Sequence, residues 1–178
     1  MKRQPNQQVT LKPLDLVVLL KLAALGDESK TFGELASDLV MSASEVHSSV
    51  GRATAARLVH IDPDKWHVSK PALREFLIHG AKYAFPATFG TATPGVPTSH
   101  AAPPLNKVIV QSNEMPPVWP DPAGSKRGMA LYPLYPTVPR AARSDPALYE
   151  SLVLFDALRS GAARERQLAT EMLIERLK

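Results

Sequence analysis

Ser44, His47, Ser48 and Arg52 lie close together in the stretch Ser42 to Val59. Wound as a helix at 100° per residue, that stretch puts Ala43, Val46, Val50 and Ala53 on one side as a core-facing stripe. The opposite side carries Ser44, Ser48, Gly51, Arg52 and Ala55, with His47 and Ser49 on its flanks. A helix that enters a major groove needs small residues for close approach, hydroxyls for phosphates and base edges, and an arginine fork for guanine. Ser44, Ser48, Arg52 and His47 are therefore the candidates for base contact. Ser42, Ser49, Lys30, Lys65 and Lys70 are the candidates for phosphate contact, helped by backbone donors at the helix start.

Other chemistry finds little support. His60, Asp62, Asp64 and His67 crowd a short segment, but their spacing matches no metal-site type, and no metal is expected. The chain has no cysteine, which excludes a thiolate metal site, a disulfide framework and a cysteine nucleophile. There is no Gly-x-Ser-x-Gly elbow, and Gly90, Gly95 and Gly124 are isolated, so no glycine-rich loop cradles a phosphate. The expectation is a protein that is not an enzyme and needs no cofactor.

The elements that must position the candidate face are legible in local signals. Pro13 opens a helix in which Leu14, Val17, Val18, Leu20, Lys21, Leu22 and Leu25 recur at near-helical spacing, and Gly26-Asp27 ends it. Thr31 with Glu34, and Ser42 with Glu45, each have the spacing of a capping box. The first box starts a helix whose stripe is Phe32, Leu35, Ala36 and Leu39; the second starts the helix carrying the serines. Val40-Met41 forms the turn between them. Ile61 and Trp66 to Val68 have strand character around an Asp62-Pro63-Asp64 turn, which predicts a hairpin with Trp66 at its base. Ser69 then caps a fourth helix running to about Phe85-Pro86.

In this order the chain resembles the winged helix-turn-helix regulators of MarR-like type. The segment Phe32-Gly33-Glu34-Leu35-Ala36-Ser37-Asp38-Leu39, followed by Met41-Ser42-Ala43-Ser44-Glu45-Val46-His47, carries the resemblance. It covers about residues 10–85, under half the chain. It implies sequence-specific binding to double-stranded DNA, with Ser42–Val59 as the reading helix and the hairpin as the wing. Asp62 and Asp64 depart from the pattern, since many relatives carry basic residues near the wing tip.

Beyond residue 85 the chain changes character: 13 of its 17 prolines fall between Pro86 and Pro146. Proline removes a backbone donor and disfavours helix in the residue before it, so residues 86–144 are expected to form an extended arm with short strands. Val108-Ile109-Val110 and Val118-Trp119 give that arm apolar anchors, Trp119 foremost, which pin it to its own chain or to a partner. Residues 145–178 read as a helical pair. Asp145-Pro146 starts the first helix, whose face holds Leu148, Leu152, Phe155 and Leu158; Leu168, Met172, Leu173 and Leu177 mark the second.

Length and charge set the remaining bounds. The chain has 178 residues with 44% hydrophobic and 21% charged, enough for one folded domain with an appendage. The net charge of +4 is evenly spread, with 11 Lys+Arg against 9 Asp+Glu in residues 1–85 and 10 against 8 thereafter. Asp15 and Lys21 interrupt the apolar run Leu14–Leu25, which is too short for a bilayer, and Met1 to Asn6 lead into no cleavage signal. The expectation is therefore a soluble, cytoplasmic, mainly α protein: a winged helix-turn-helix with a proline-rich arm and a C-terminal helical hairpin. It would act as a homodimeric transcriptional regulator, most simply a repressor, with the Leu14–Leu25 helix and the C-terminal pair as the candidate dimer surfaces. The rival is an adaptor or antitoxin-like subunit that uses the winged helix and residues 86–178 to hold a protein partner.

Overall fold

The computed structural model describes residues 8–26, 28–62, 65–110 and 114–178. Three helices come first: α1 (Pro13–Leu25), α2 (Phe32–Leu39) and α3 (Ala43–Ala55). A hairpin of β1 (Val59–Asp62) and β2 (Lys65–Val68) follows, pairing His60 with His67 and Ile61 with Trp66. Residues 63–64 of its expected turn lie outside the described residues, as do Asp27 and the N-terminal segment Met1 to Asn6. Next come α4 (Lys70–Glu75), a π-helical stretch (Phe76–Ala81) and the short α5 (Lys82–Ala84).

Both capping boxes form. The Glu34 amide donates to Thr31 Oγ1 at 3.2 Å and the Thr31 amide returns to Glu34 Oε2 at 2.7 Å. Ser42 and Glu45 repeat the pattern at 3.2 and 2.8 Å. α2 and α3 also end alike. Met41 N–H reaches Ala36 O and Val40 N–H reaches Ser37 O; Leu58 N–H reaches Ala53 O and Arg57 N–H reaches Thr54 O. Each is a Schellman closure, which requires a left-handed residue where glycine is usual. Val40 (φ 54) and Arg57 (φ 60) take that position, at a cost of roughly 1–2 kcal/mol each.

The expectation of a mainly α fold with an extended arm is corrected: the molecule is mixed α and β, with a two-stranded and a three-stranded sheet. In the proline-rich region β3 (Phe89–Pro97) runs antiparallel to both β4 (Pro117–Pro120) and β5 (Lys126–Leu131), while β4 and β5 pair in parallel and close the sheet on itself. Pro97 ends β3, and Pro117 and Pro120 bound β4, positions where a missing backbone donor interrupts the ladder least. Closure also needs glycine: a Cβ on Gly124 would lie 2.1 Å from the Gly95 carbonyl carbon, and one on Gly95 would lie 2.2 Å from Trp119 O. The glycines that are isolated in sequence therefore serve strand approach. Helix α6 (Val138–Ser144), in a stretch expected to be extended, leads into α7 (Pro146–Ser160) and α8 (Ala163–Arg176).

One hydrophobic core runs through both halves. Helix α1 is buried nearly all round, with Leu16, Val17, Val18, Leu19 and Leu20 at 2% exposure or less. Each such side chain contributes ~1.5–3 kcal/mol by burial. It packs against α3, β2 and α7, and α7 is itself buried from Ser151 to Leu158. Helix α1 and the buried side of α7, two of the surfaces expected to join subunits, are thus covered by their own chain, while α8 keeps an exposed side. Lys21 of α1 anchors this junction, lying 2.8 Å from Asp38 of α2 and 2.7 Å from Asp145, the cap of α7. Burial alone pushes the Lys21 ammonium down, but the bonds to Asp145 and Asp38 outweigh it and the net shift is upward.

Trp119, 1% exposed, fixes the sheet to α7: its indole N–H donates to Asp156 Oδ2 at 2.6 Å. The same oxygen accepts from Thr98 Oγ1 at 2.7 Å, and Arg159 holds the other oxygen at 2.8 Å while donating to Tyr132 O. Tyr149 adds an edge-on contact with Trp119 and donates to Pro97 O at 2.6 Å; burial pushes its phenol up to about 12. Among the described residues no helix is long and apolar enough to cross a membrane.

Candidate nucleic-acid interface

Helix α3 is seated by Val46, Val50 and Ala53, all buried against α1 and α2, and by Ser49, which is 0% exposed. Ser44, His47, Ser48, Gly51 and Ala55 are exposed on its outer side. The structure brings Ser44, His47 and Ser48 together on one open surface, as their spacing implies. His47 sits at the edge of that surface, with its ring edge-on to Phe32 at 5.1 Å; Phe32 in turn stacks on Trp66 of β2 at 4.3 Å. The base of the β1–β2 hairpin and the start of α2 therefore buttress one flank of α3.

The other flank corrects the sequence reading. Arg52 does not extend outward. Its Nε and Nη2 donate to the two oxygens of Asp15 in α1, at 2.8 and 2.6 Å, and Nη2 also reaches Ser49 Oγ at 3.2 Å. Asp15, only 1% exposed, receives a further bond from the Lys12 amide at 2.8 Å. The Asp15 bonds raise the Arg52 guanidinium above its ordinary value against the opposing pull of burial. A fork committed to a buried carboxylate is not offered to guanine, and a fully buried Ser49 cannot touch phosphate. Sequence periodicity places Arg52 outward because it counts only the Cα direction; the long side chain bends round the helix to a partner 37 residues away.

The other expected phosphate contacts are also engaged by their own chain. Ser42 Oγ accepts from the Glu45 amide and donates to Glu45 Oε2 at 2.7 Å. Lys30 binds Asp38 at 2.7 Å, and Lys70 binds the Lys178 carbonyl at 2.9 Å. Lys65 stands half-buried on the hairpin, opposite Asp62 and beside the Phe32–Trp66 stack. The hairpin itself carries His67 within 3.2 Å of Asp62, and among the described residues no group of three metal-ligating side chains forms.

Two features at this surface escaped the sequence reading. Tyr135 donates its hydroxyl to Glu45 Oε1, and Thr137 donates to Leu39 O at 2.9 Å, so the segment before α6 grips the turn between α2 and α3. The Tyr135 bond, with the Ser42 amide and hydroxyl, lowers Glu45 to about 2 and keeps it ionised. The second is Arg57, exposed just past the end of α3. Comparison with known protein families, with characterised proteins and with solved structures gives no match for this chain.

Proposed function

We propose that this chain is a duplex-DNA-binding regulator that presents the outer side of α3 to the major groove. The observation that carries the reading is the open surface of Ser44, His47, Ser48 and Gly51 on a helix whose inner side is locked into the core. Its residues are small enough for close backbone approach and supply hydroxyl and imidazole groups to base edges. Neither charge on α3 competes there, since Glu45 is bound by Tyr135 and Arg52 by Asp15. The order of three helices, hairpin and helix, with its resemblance to winged regulators over residues 10–85, supports the same reading.

Readout then belongs to Ser44, His47 and Ser48, and Arg52 holds the helix in place. Binding blocks access of other proteins to the same DNA, which is the simplest route to repression. Two copies on a pseudo-palindromic site would meet through a surface other than α1 and the buried side of α7. The test is selection of bound duplexes from a random pool, with the mass of the complex measured to count subunits. Recovery of a consensus is expected, with affinity falling steeply as salt rises. No retardation of any duplex at low salt would overturn the reading.

A protein-docking role is the second reading, favoured by Phe89, Met129 and Tyr132, which are 55%, 39% and 49% exposed on and beside the three-stranded sheet. A chain that retards no DNA but forms a stoichiometric complex with a protein would fit it.

A further inference from the structure

Arg57 combines three properties that are hard to reconcile with a purely structural residue. Its backbone is left-handed, with φ 60, at the Schellman position closing α3, where glycine would fit without strain. Its side chain is exposed and contributes nothing to the core. Among the described residues no carboxylate or carbonyl engages its guanidinium, whereas both charges within α3 are bonded to their own chain. Arg57 is thus the first uncommitted charge met along the reading helix, between the exposed stripe that ends at Ala55 and the wing strand that begins at Val59. A strained and solvated arginine kept where glycine would serve better suggests a use for its charge.

We infer that Arg57 is a DNA-backbone contact, binding a phosphate that flanks the groove entered by α3. This rests on the proposed function and adds to it the residue that supplies charge where Arg52 does not. A planar guanidinium makes paired hydrogen bonds to phosphate oxygens, and the contact releases about one condensed counterion. It carries no sequence information; it fixes the register of α3 on the duplex.

The experiment compares the full chain with Arg57→Gly and Arg57→Lys by fluorescence anisotropy on a random-sequence duplex, from 50 to 200 mM salt. Arg57→Gly is expected to weaken binding on the order of tenfold at 50 mM. It should also flatten the slope of log affinity against log salt by about 0.9, a difference of about 3.5-fold across that range. Its melting temperature should rise, because the strain is relieved. Arg57→Lys should keep the slope. Stability and binding moving in opposite directions is a result that a structural role cannot produce. Wild-type binding matched in affinity and slope by Arg57→Gly would overturn the inference and leave the α3 reading standing. A lower melting temperature in Arg57→Gly would also overturn it, by giving the side chain a structural use. Failure of the wild-type chain to bind any duplex would overturn both.

Discussion

The helical segment from Pro13 to Ala55 and the proline-rich segment from Pro86 to Thr137 are both folded onto the same core, but different contacts hold them. In the first, helix starts are set by residues three apart: Thr31 with Glu34 and Ser42 with Glu45. In the second, strand pairing is brief, and the sheet is fixed by side chains from distant α7, chiefly Asp156 and Arg159. Short-range caps thus start α2 and α3, with Arg52–Asp15 as a longer tie on α3, whereas long-range polar bonds position the sheet. The two meet where Tyr135 and Thr137 touch the α2–α3 turn.

That contrast breaks first at Asp156. Asp156→Ala leaves Arg159, Trp119 and Thr98 without their shared acceptor in a buried site, and a loss of ~3–5 kcal/mol is expected. Chemical denaturation measures it, and limited proteolysis should find new cleavage between residues 86 and 137 while α3 stays protected. Cleavage spread evenly over the chain would show that the two regions share one support.

Arg52→Ala is the corresponding test in the helical region. It strands Asp15, and a loss of about 3 kcal/mol is expected by denaturation. Arg52→Met combined with Asp15→Leu should recover most of that, because apolar groups of similar size replace the ion pair. Ser42→Ala removes a single cap and should cost about 1 kcal/mol.

The smallest effect is a pH dependence at the contact between the regions. Glu45 sits at about 2 in the folded chain, below its ordinary 4.5, so its contribution is fully present above about pH 4.5. It is lost as pH falls towards 2. Tyr135→Phe should therefore destabilise most above pH 4.5, with the difference shrinking on acidification, and the Glu45 carboxyl should titrate higher by NMR. A Tyr135→Phe effect independent of pH would show that the phenol acts by packing alone.

The same contrast explains what was legible in the sequence. Both capping boxes, the turn after α2 and the buried Val46, Val50 and Ala53 of α3 are local signals and form where the spacing indicates, but α3 ends at Ala55, short of the expected Val59, which opens β1, and Ala43 of the expected stripe is exposed. Asp15 and Lys21 were visible only as interruptions of an apolar run; their partners Arg52, Asp38 and Asp145 are remote in sequence and bond them in the folded chain. Asp156 was not read in the sequence, although an acid inside the apolar run of α7, three residues before Arg159, is the signal that marks it. The closed sheet was not legible, because proline suppresses strand propensity and the pairing of β4 with β5 depends on glycines whose role is contact across the fold.

The open side of α3 is tested most directly by Ser48→Glu, which places an acid at the centre of the exposed stripe without touching the core. With melting temperature unchanged, the expected result is a loss of duplex affinity on the order of a hundredfold or more, from phosphate repulsion and an obstructed groove. Undiminished binding by that variant would contradict the assignment of α3 as the helix that meets DNA.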